Sequence, residues 1–333
     1  MTRIAVLAGG IGGARFLRGL RLAAPDADIT VIANTGDDIW LFGLRVCPDL
    51  DTLMYTLGDG HDVERGWGRA DETFHAAEEL AAYGMQPDWF GLGDRDLATH
   101  LVRTQMIRAD YPLSQVTEAL CARWRPGVRL LPMTDDRVET HVVITDDAGR
   151  RAIHFQEWWV RLHAETPAEA FVMVGADEAV PGPGVVEALN GADLVLLPPS
   201  NPVVSIGSIM SVARIRAAVE STPAPVVGVS GIVGDRPVRG MADACLAAID
   251  VPTTALGVAT HYGSRRRGGA DGQSHGLLDG WIVDDVDAAS VPAIEALGLA
   301  ARSRPTLMTD DAAAAELAAA ALALGAELRG GHA

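Results

Sequence analysis

Cysteine is scarce in this chain of 333 residues: Cys47, Cys121 and Cys245 are far apart and form no CxxC pair. Such spacing argues against a structural zinc site and a disulfide framework, and it is typical of a reducing cytoplasm. Apolar runs of membrane-spanning length are also missing, as is a charged leader followed by an apolar segment. We therefore expect no membrane span and no export signal.

Positive charge is in short supply as well. The 27 basic residues are outnumbered by 44 acidic ones, which gives a formal net charge of −17. This balance argues against broad binding to nucleic acid or to an anionic membrane surface. A polyanionic substrate would need local arginines, helix N-termini or a metal ion instead.

The apolar pattern indicates an α/β fold. "RIAVLAGG" is typical of a buried parallel strand, "ARFLRGLRLAA" has helical spacing, and "ADITVIANTGDD" is a second strand. Residues 70–125 are mainly helical in pattern, a hairpin is predicted around Asp147–Gly149, and strands and helices alternate afterwards. An alanine-rich helix is expected from Asp310.

These elements predict a doubly wound, mainly parallel Rossmann-like sheet with a mostly helical insertion subdomain. The core would comprise residues 1–64 and 151–333, and the insertion residues 65–150.

Four glycines lie between the first strand and the first helix: Gly9, Gly10, Gly12 and Gly13. The dinucleotide pattern G-x-G-x-x-G is incomplete because Arg15 stands where the third glycine belongs, and no Gly-Lys-Ser/Thr follows to make a phosphate loop. Such a turn still brings backbone N–H groups and a helix N-terminus to an anion. We predict phosphate binding here; a tight turn without a ligand is the alternative.

Four carboxylates follow the second strand within fifteen positions: Asp37, Asp38, Asp49 and Asp51. The first pair comes at a strand's carboxyl end, where ligands bind in open α/β sheets. Oxygen ligands of this kind suit Mg²⁺, and one carboxylate could instead accept a proton from an attacking hydroxyl. Helix capping by Asp49 or Asp51 is the structural alternative.

A second anion site is predicted in "LLPPSNPVVSIG", where Ser200, Asn201 and Ser205 are residues of the N-cap type. A proline-rich loop with an ordinary cap is the alternative. Arg236 and Arg239 lie on a third late loop, and "GSRRRGGADGQSHG" is expected to be a surface loop. Together with the acidic cluster and the lack of a redox motif, these loops favour phosphoryl transfer from a nucleotide.

Two further motifs are ambiguous on their own. Arg95 in "GDRD" is at the start of a helix and by itself indicates a solvated salt bridge. Trp158 and Trp159 in "FQEWWV" are expected on opposite faces of a strand, one in the core and the other free to stack on a flat ligand.

Taken in order, "LAGGIGGARFL", "NTGDDIW", "PDLDTLMYTL", "GWG", "DETF", "LGDRDLATHLVRTQ", "HFQEWWVR", "PPSNPVVSIG" and "RGMAD" carry a resemblance. Over residues 3–310 the chain closely resembles the CofD/FbiA family, the transferases of coenzyme F420 biosynthesis, and most of all its actinobacterial FbiA branch.

The resemblance implies an Mg²⁺-dependent enzyme that joins a phospho-acid to the deazaflavin alcohol Fo and releases GMP. The expected donor is enolpyruvyl-diphospho-guanosine, with lactyl-diphospho-guanosine as the alternative of the archaeal branch. The product would be dehydro-F420-0. A cytoplasmic homodimer is expected, with neither nucleic acid nor membrane as a partner.

Site roles are assigned on the same basis. Asp37, Asp38 and Asp49 would bind Mg²⁺, with Asp49 and Asp38 as the catalytic candidates, while Asp51, Arg95 and Trp158 would contact Fo. The residues expected to hold the diphosphate and guanosine of the donor are Gly9, Gly10, Gly12, Gly13, Asn34, Ser200, Asn201, Ser205 and Gly207.

Two other classes of function stay open at this point. A nucleotide-sugar-binding regulator of the same superfamily would share the glycine turn and the Ser-Asn-Pro loop, but it would not need the "PDLD" and "GDRD" motifs as an Fo pocket. A nicotinamide-dependent oxidoreductase is disfavoured by Arg15 and by Asn34, which stands where an acidic residue would end the second strand.

Overall fold

The computed structural model describes residues 1–62, 65, 68–265 and 276–330. The strands are β1 (Arg3–Ala8), β2 (Asp28–Ala33), β3 (Ile39–Leu41), β4 (Leu44–Val46), β5 (Arg129–Pro132), β6 (Glu139–Asp146), β7 (Gly149–His154), β8 (Ala168–Val174), β9 (Leu194–Leu197), β10 (Val226–Val229), β11 (Ile232–Val233), β12 (Arg236–Pro237), β13 (Gly280–Val283) and β14 (Ala300–Ser303).

The α-helices alternate with these strands over much of the chain. They are α1 (Gly10–Ala23), α2 (Pro48–Leu57), α3 (His75–Ala82), α4 (Asp96–Arg108), α5 (Leu113–Trp124), α6 (Val185–Gly191), α7 (Gly207–Ser211), α8 (Ala213–Ser221), α9 (Ala242–Ala247), α10 (Ala255–Tyr262), α11 (Val291–Ala296) and α12 (Asp311–Gly330). Two π-helical turns, Glu157–Arg161 and Pro202–Ile206, interrupt the pattern.

A seven-stranded parallel sheet forms the centre, in the order β14-β13-β10-β9-β1-β2-β5. Strand β1 pairs with β2 on one side and β9 on the other, so its residues from Ile4 to Ala8 are all buried. That burial explains the continuous apolar run, since strands of parallel sheets are covered on both faces. The predicted fold class is confirmed.

The connections place a topological switch point between β1 and β9. From β1 the chain moves outward through β2 to β5, whereas from β9 it moves the other way through β10, β13 and β14. In doubly wound sheets the crevice at such a point, beyond the carboxyl ends of the strands, is where ligands bind. The predicted glycine turn and serine loop follow β1 and β9, so both open into this crevice.

The bounds given for the insertion stay a prediction, although one strand within them belongs to the central sheet. Strand β5, at Arg129–Pro132, returns to the edge of the central sheet instead of belonging to a helical insertion. The hairpin β6–β7 is confirmed, but β6 also pairs with β8, which makes a separate antiparallel sheet. The short apolar run of β5 carries no signal that distinguishes a core strand from a helix segment.

Within the described part of the chain, no single helix is long and apolar enough to cross a membrane. Two consecutive helical segments, Pro202–Ser211 and Ala213–Ser221, are together long and apolar enough to span a membrane by length and composition alone, but the chain bends by 94° between them.

Helices α1 and α12 pack against each other on one face of the sheet at Gly19. A Cβ atom at Gly19 would lie 2.2 Å from the carbonyl carbon of Ala314, which is backbone and cannot rotate away. Helix α12 is the alanine-rich helix predicted from Asp310. The glycine at position 19 permits the close approach of α12 to α1.

We expect Gly19→Ala to destabilise the protein by about 1–3 kcal/mol through overpacking, despite a helix-propensity gain of roughly 1 kcal/mol. Denaturant unfolding measures this difference. Gly191→Ala is the control, since the nearest atom to a Cβ there is Arg3 Nη1 at 3.4 Å. Equal stability of the two variants would contradict the packing at Gly19.

Candidate active site

A cleft of about 760 Å³ opens at the switch point. Its walls come from the glycine turn, the loop after β9, helix α2, the start of α4 and the segment after β10. Of the residues predicted for the site, those that line the cleft are Gly9, Gly10, Gly12, Asp37, Asp49, Asp51, Ser200, Asn201 and Ser205.

The glycines are required by close packing around the turn. Gly10 has a φ of +65°, which favours glycine, and helix α1 begins there. A Cβ at Gly9 would lie 2.4 Å from Asp49 Oδ2, and one at Gly12 would lie 2.2 Å from the carbonyl oxygen of Pro199. Gly13 is buried against Ala8 and Ser200 and does not line the cleft.

Asp49 is held by two directed hydrogen bonds. The backbone N–H of Gly10 donates to Oδ1 at 2.8 Å, and Asn34 Nδ2 donates to Oδ2 at 2.9 Å. Asn34 is fully buried, also donates to the carbonyl of Val204, and accepts from the N–H of Gly36. Asn34 therefore orients Asp49 from behind and does not line the cleft, and its contact with the donor stays a prediction.

Asp37 and Asp49 form a buried acidic pair. Burial raises the pKa of Asp49 to about 6. It also raises the pKa of Asp37 well above its usual range, with the nearby charge of Asp49 adding to the effect. Among the described atoms Asp37 Oδ1 has no hydrogen-bond partner. Two adjacent carboxylates with an unpartnered buried oxygen suit a hard divalent cation such as Mg²⁺.

Asp38 does not line the cleft, and its role as ligand and catalytic residue stays a prediction. Its side chain is fully buried and makes a 3.1 Å ion pair with Arg45. Burial raises its pKa to about 6, although Arg45 opposes this shift. Asp37 lines the cleft, whereas Asp38 is held by Arg45 behind it.

Helix α4 contributes a polar network that sequence reasoning missed. Asp51 pairs with the buried Arg103, whose Nη1 donates to His100 Nδ1 at 3.1 Å. Because guanidinium can only donate, the His100 proton belongs on Nε2, which lies 3.3 Å from Asp96 Oδ2. The i, i+4 spacing of Asp96 and His100 was the available signal.

Asp51, Asp96 and His100 also form the three-ligand cluster found among the described residues, with ligand atoms all within 4.8 Å of one another. It shares no residue with the predicted metal set of Asp37, Asp38 and Asp49. The Arg103 guanidinium already neutralises Asp51, so this cluster suits a cation less well than Asp37 and Asp49 do.

The loop after β9 is joined to the glycine turn. Ser200 Oγ donates to the carbonyl of Gly9 at 2.9 Å and accepts from its N–H at 3.3 Å. The side chain of Asn201 accepts from the N–H groups of Val203 and Val204, which caps the π-helical turn. Gly207 follows that turn and does not line the cleft.

Two residues expected to contact Fo lie outside the cleft. The Arg95 side chain is 54% exposed and faces Asp71 at 3.8 Å. "EWWVR" forms a π-helical turn instead of a strand, so Trp158 is buried with its Nε1 donating to Thr166 O, while Trp159 lines the cleft. The loop around Arg265 falls mostly at 266–275, outside the described residues, as do Gly66 and Trp67 of "GWG".

In the free protein we expect Asp37→Asn to raise the melting temperature at pH 7.5, by roughly 2–5 °C. The folded-state pKa of each paired acid is raised above its unfolded value, so the folded protein binds more protons. Stability therefore falls as pH rises from about 4 through the folded-state pKa, which is about 6 for Asp49. The advantage of the variant should vanish near pH 4.

Thermal unfolding in a metal chelator at both pH values measures this effect. Asp235→Asn is the control, because that side chain is 86% exposed. A lower melting temperature for Asp37→Asn at pH 7.5 would show that its carboxylate stabilises the free protein.

Two crystal structures of a Bacillus halodurans protein, described as a member of the upf0052 family, share the fold. One superimposes with a TM-score of 0.60 at 17% identity and covers 96% of this chain and 99% of that one. At that identity the likeness shows the fold alone.

Sequence relatives are much closer. Proteins named phosphoenolpyruvate transferase include one from Streptomyces coelicolor, 66% identical over 98% of this chain and 99% of the relative. Those from Thermobifida fusca and Nocardia farcinica are 62% and 59% identical, over 98% and 97% of this chain and 99% and 94% of the relatives. The profile described as 2-phospho-L-lactate transferase CofD matches residues 4–316, and the chain therefore belongs to the CofD family.

Proposed function

We propose that the protein transfers the phosphoenolpyruvyl group of enolpyruvyl-diphospho-5'-guanosine to the terminal hydroxyl of Fo, 7,8-didemethyl-8-hydroxy-5-deazariboflavin, in coenzyme F420 biosynthesis. The products are dehydro-F420-0 and GMP. The observation that carries this proposal is the 66% identity, along nearly the whole chain, to a relative named phosphoenolpyruvate transferase.

The donor diphosphate binds across the switch point, between the glycine turn and the Ser200 loop. Helix α1 is 14 residues long and starts at Gly10, so its N-terminus favours an anion at this point. Ser200 ties the loop to the turn through Gly9, which fixes both sides of the diphosphate site before substrate arrives.

Asp37 and Asp49 hold Mg²⁺ in this proposal. The cation neutralises charge on the diphosphate when bound. Hydrogen bonds from Asn34 and Gly10 keep Asp49 in one orientation. Asp49 is also the candidate that accepts the proton of the attacking hydroxyl.

The reaction exchanges one bond to phosphorus for another. The hydroxyl oxygen of Fo attacks the phosphorus that carries the enolpyruvyl group, and the bond from that phosphorus to the GMP oxygen breaks. Fo lies along α2 and the start of α4, where Asp51, His100 and Trp159 line the cleft. Such a pocket joins a flat aromatic wall to polar groups for a ribityl chain.

Cytoplasmic location and a homodimer belong to the same proposal. The three cysteines are free, which supports a reducing compartment, and the dimer rests on the family resemblance.

The lactyl conjugate is the second candidate donor, because the matching family profile is described as 2-phospho-L-lactate transferase. With Fo and Mg²⁺ we expect the enolpyruvyl conjugate to give product and GMP faster than the lactyl one, measured by mass spectrometry. Asp49→Asn should abolish transfer, while Asp235→Asn should not change it. No product from either donor would overturn the proposed reaction.

Asp51→Asn should raise the dissociation constant for Fo by roughly 10-fold or more and change the GDP dissociation constant by less than about 2-fold. The reason is that Asp51 lies on the acceptor side of the cleft. Because the variant leaves Arg103 without its partner, Asp51→Asn/Arg103→Met serves as the second variant and removes both buried charges.

Fluorescence titration with Fo and calorimetry with GDP measure the two affinities separately. Equal loss of both affinities in either variant, with an unchanged circular dichroism spectrum, would contradict the separation of the two pockets.

A further inference from the structure

Two arginines line the cleft without any role so far. Arg15 extends from α1, beyond the glycine turn, and Arg239 lies between β12 and α9. Lysine is absent from the sequence, so arginine side chains are its permanent cations. In a protein with a net charge of −17, whose cleft is also lined by Asp37, Asp49 and Asp51, these two arginines supply positive charge for an anion.

Most arginines near the site are engaged with acids. Arg18 pairs with Asp59 and Asp311, Arg45 with Asp38, and Arg103 with Asp51. Across residues 1–62, 65, 68–265 and 276–330, by contrast, neither Arg15 nor Arg239 has a carboxylate within 4.0 Å or a side-chain hydrogen bond. Their donors are therefore available to a ligand.

The two guanidinium groups also repel each other electrostatically. Partial burial and then the charge of Arg239 lower the pKa of Arg15. Like charges facing one space without a counter-ion are unfavourable in the free protein, and an anion bound between them removes the repulsion.

The segment that carries Arg239 is fixed at its base. The N–H of Val238 donates to the carbonyl of Gly231 at 3.0 Å, which closes the small β11–β12 hairpin. At Gly240 a Cβ would lie 3.0 Å from the Trp159 ring, so the backbone after Arg239 is close to the wall of the cleft. The backbone at Arg239 is thus held in place at the rim of the cleft.

We propose that Arg15 and Arg239 form a clamp for an oxyanion of the donor, either its distal phosphate or the carboxylate of the acid to be transferred. The clamp is separate from the Asp37–Asp49 pair, which would repel an anion unless a cation intervened. It rests on the proposed function for the identity of the donor. No bond forms or breaks at the arginines; they bind and orient the donor through charge-assisted hydrogen bonds.

The test measures binding by calorimetry without Fo, so that it does not depend on turnover. GMP, GDP and the enolpyruvyl conjugate are titrated into the unsubstituted protein, Arg15→Gln, Arg239→Gln and the double variant. Arg236→Gln is the matched control, since it lies on the same hairpin with a side chain 87% exposed.

We expect a loss of roughly 10- to 100-fold in affinity for GDP, for the enolpyruvyl conjugate or for both in the variants, and no change for GMP or in the control. If the variants lose affinity for GDP but not for GMP, the distal phosphate is the group that the arginines bind. Loss for the conjugate alone identifies the carboxylate. Unchanged affinity for all three ligands in the double variant would overturn the clamp.

Stability distinguishes a binding role from a structural one. Because the arginines repel each other in the free protein, the melting temperatures of Arg15→Gln and Arg239→Gln should equal or exceed that of the unsubstituted protein. Lower values would show that the arginines support the fold. If donor binding is lost as expected but no transfer to Fo occurs in the unsubstituted protein, the clamp stands and the proposed reaction falls.

Discussion

The carboxylate of Asp49 joins the segments on which the site depends. One oxygen accepts from the backbone of Gly10 at the start of α1, and the other accepts from Asn34 at the end of β2. Asn34 also reaches Val204 in the loop after β9. A single buried side chain thus ties α2 to the ends of two strands, and it fixes the crevice at the point where the strand order reverses.

Burial of several charges around this junction is unfavourable unless each has a partner. Asp38 and Asp51 have arginine partners, and these pairs hold the turn after β2 and the face of α2. Asp37 and the pair Arg15 and Arg239 lack one among the described residues. The cleft of the free protein therefore keeps one negative and one positive centre. A cation would neutralise the negative centre, and an anionic group of the substrate would neutralise the positive one.

Sequence patterns predicted three parts of the fold. The β1-α1-β2 unit has buried apolar strands around a helix of helical spacing, the hairpin β6–β7 has alternating residues, and α12 is rich in alanine. The glycine turn and the acids after β2 follow from their position at strand ends. Periodicity predicts nothing in irregular backbone. The sequence "TGDD" does not indicate that Asp37 lines the cleft and Asp38 does not. At "EWWVR" the backbone forms a π-helical turn, so Trp159 lines the cleft in place of Trp158. His100 escaped notice because its burial depends on Arg103 and Asp51, which only the fold brings together.

A cation held by Asp37 and Asp49 is tested most directly by titrating the metal-free protein with Mn²⁺ and following the electron paramagnetic resonance of the free ion. The unsubstituted protein and Asp235→Asn should bind one ion in the same way, Asp37→Asn should lose that binding, and His100→Gln should retain it. Binding that survives in Asp37→Asn but disappears in His100→Gln would put the cation at the Asp51–Asp96–His100 cluster and contradict the acidic pair as its site.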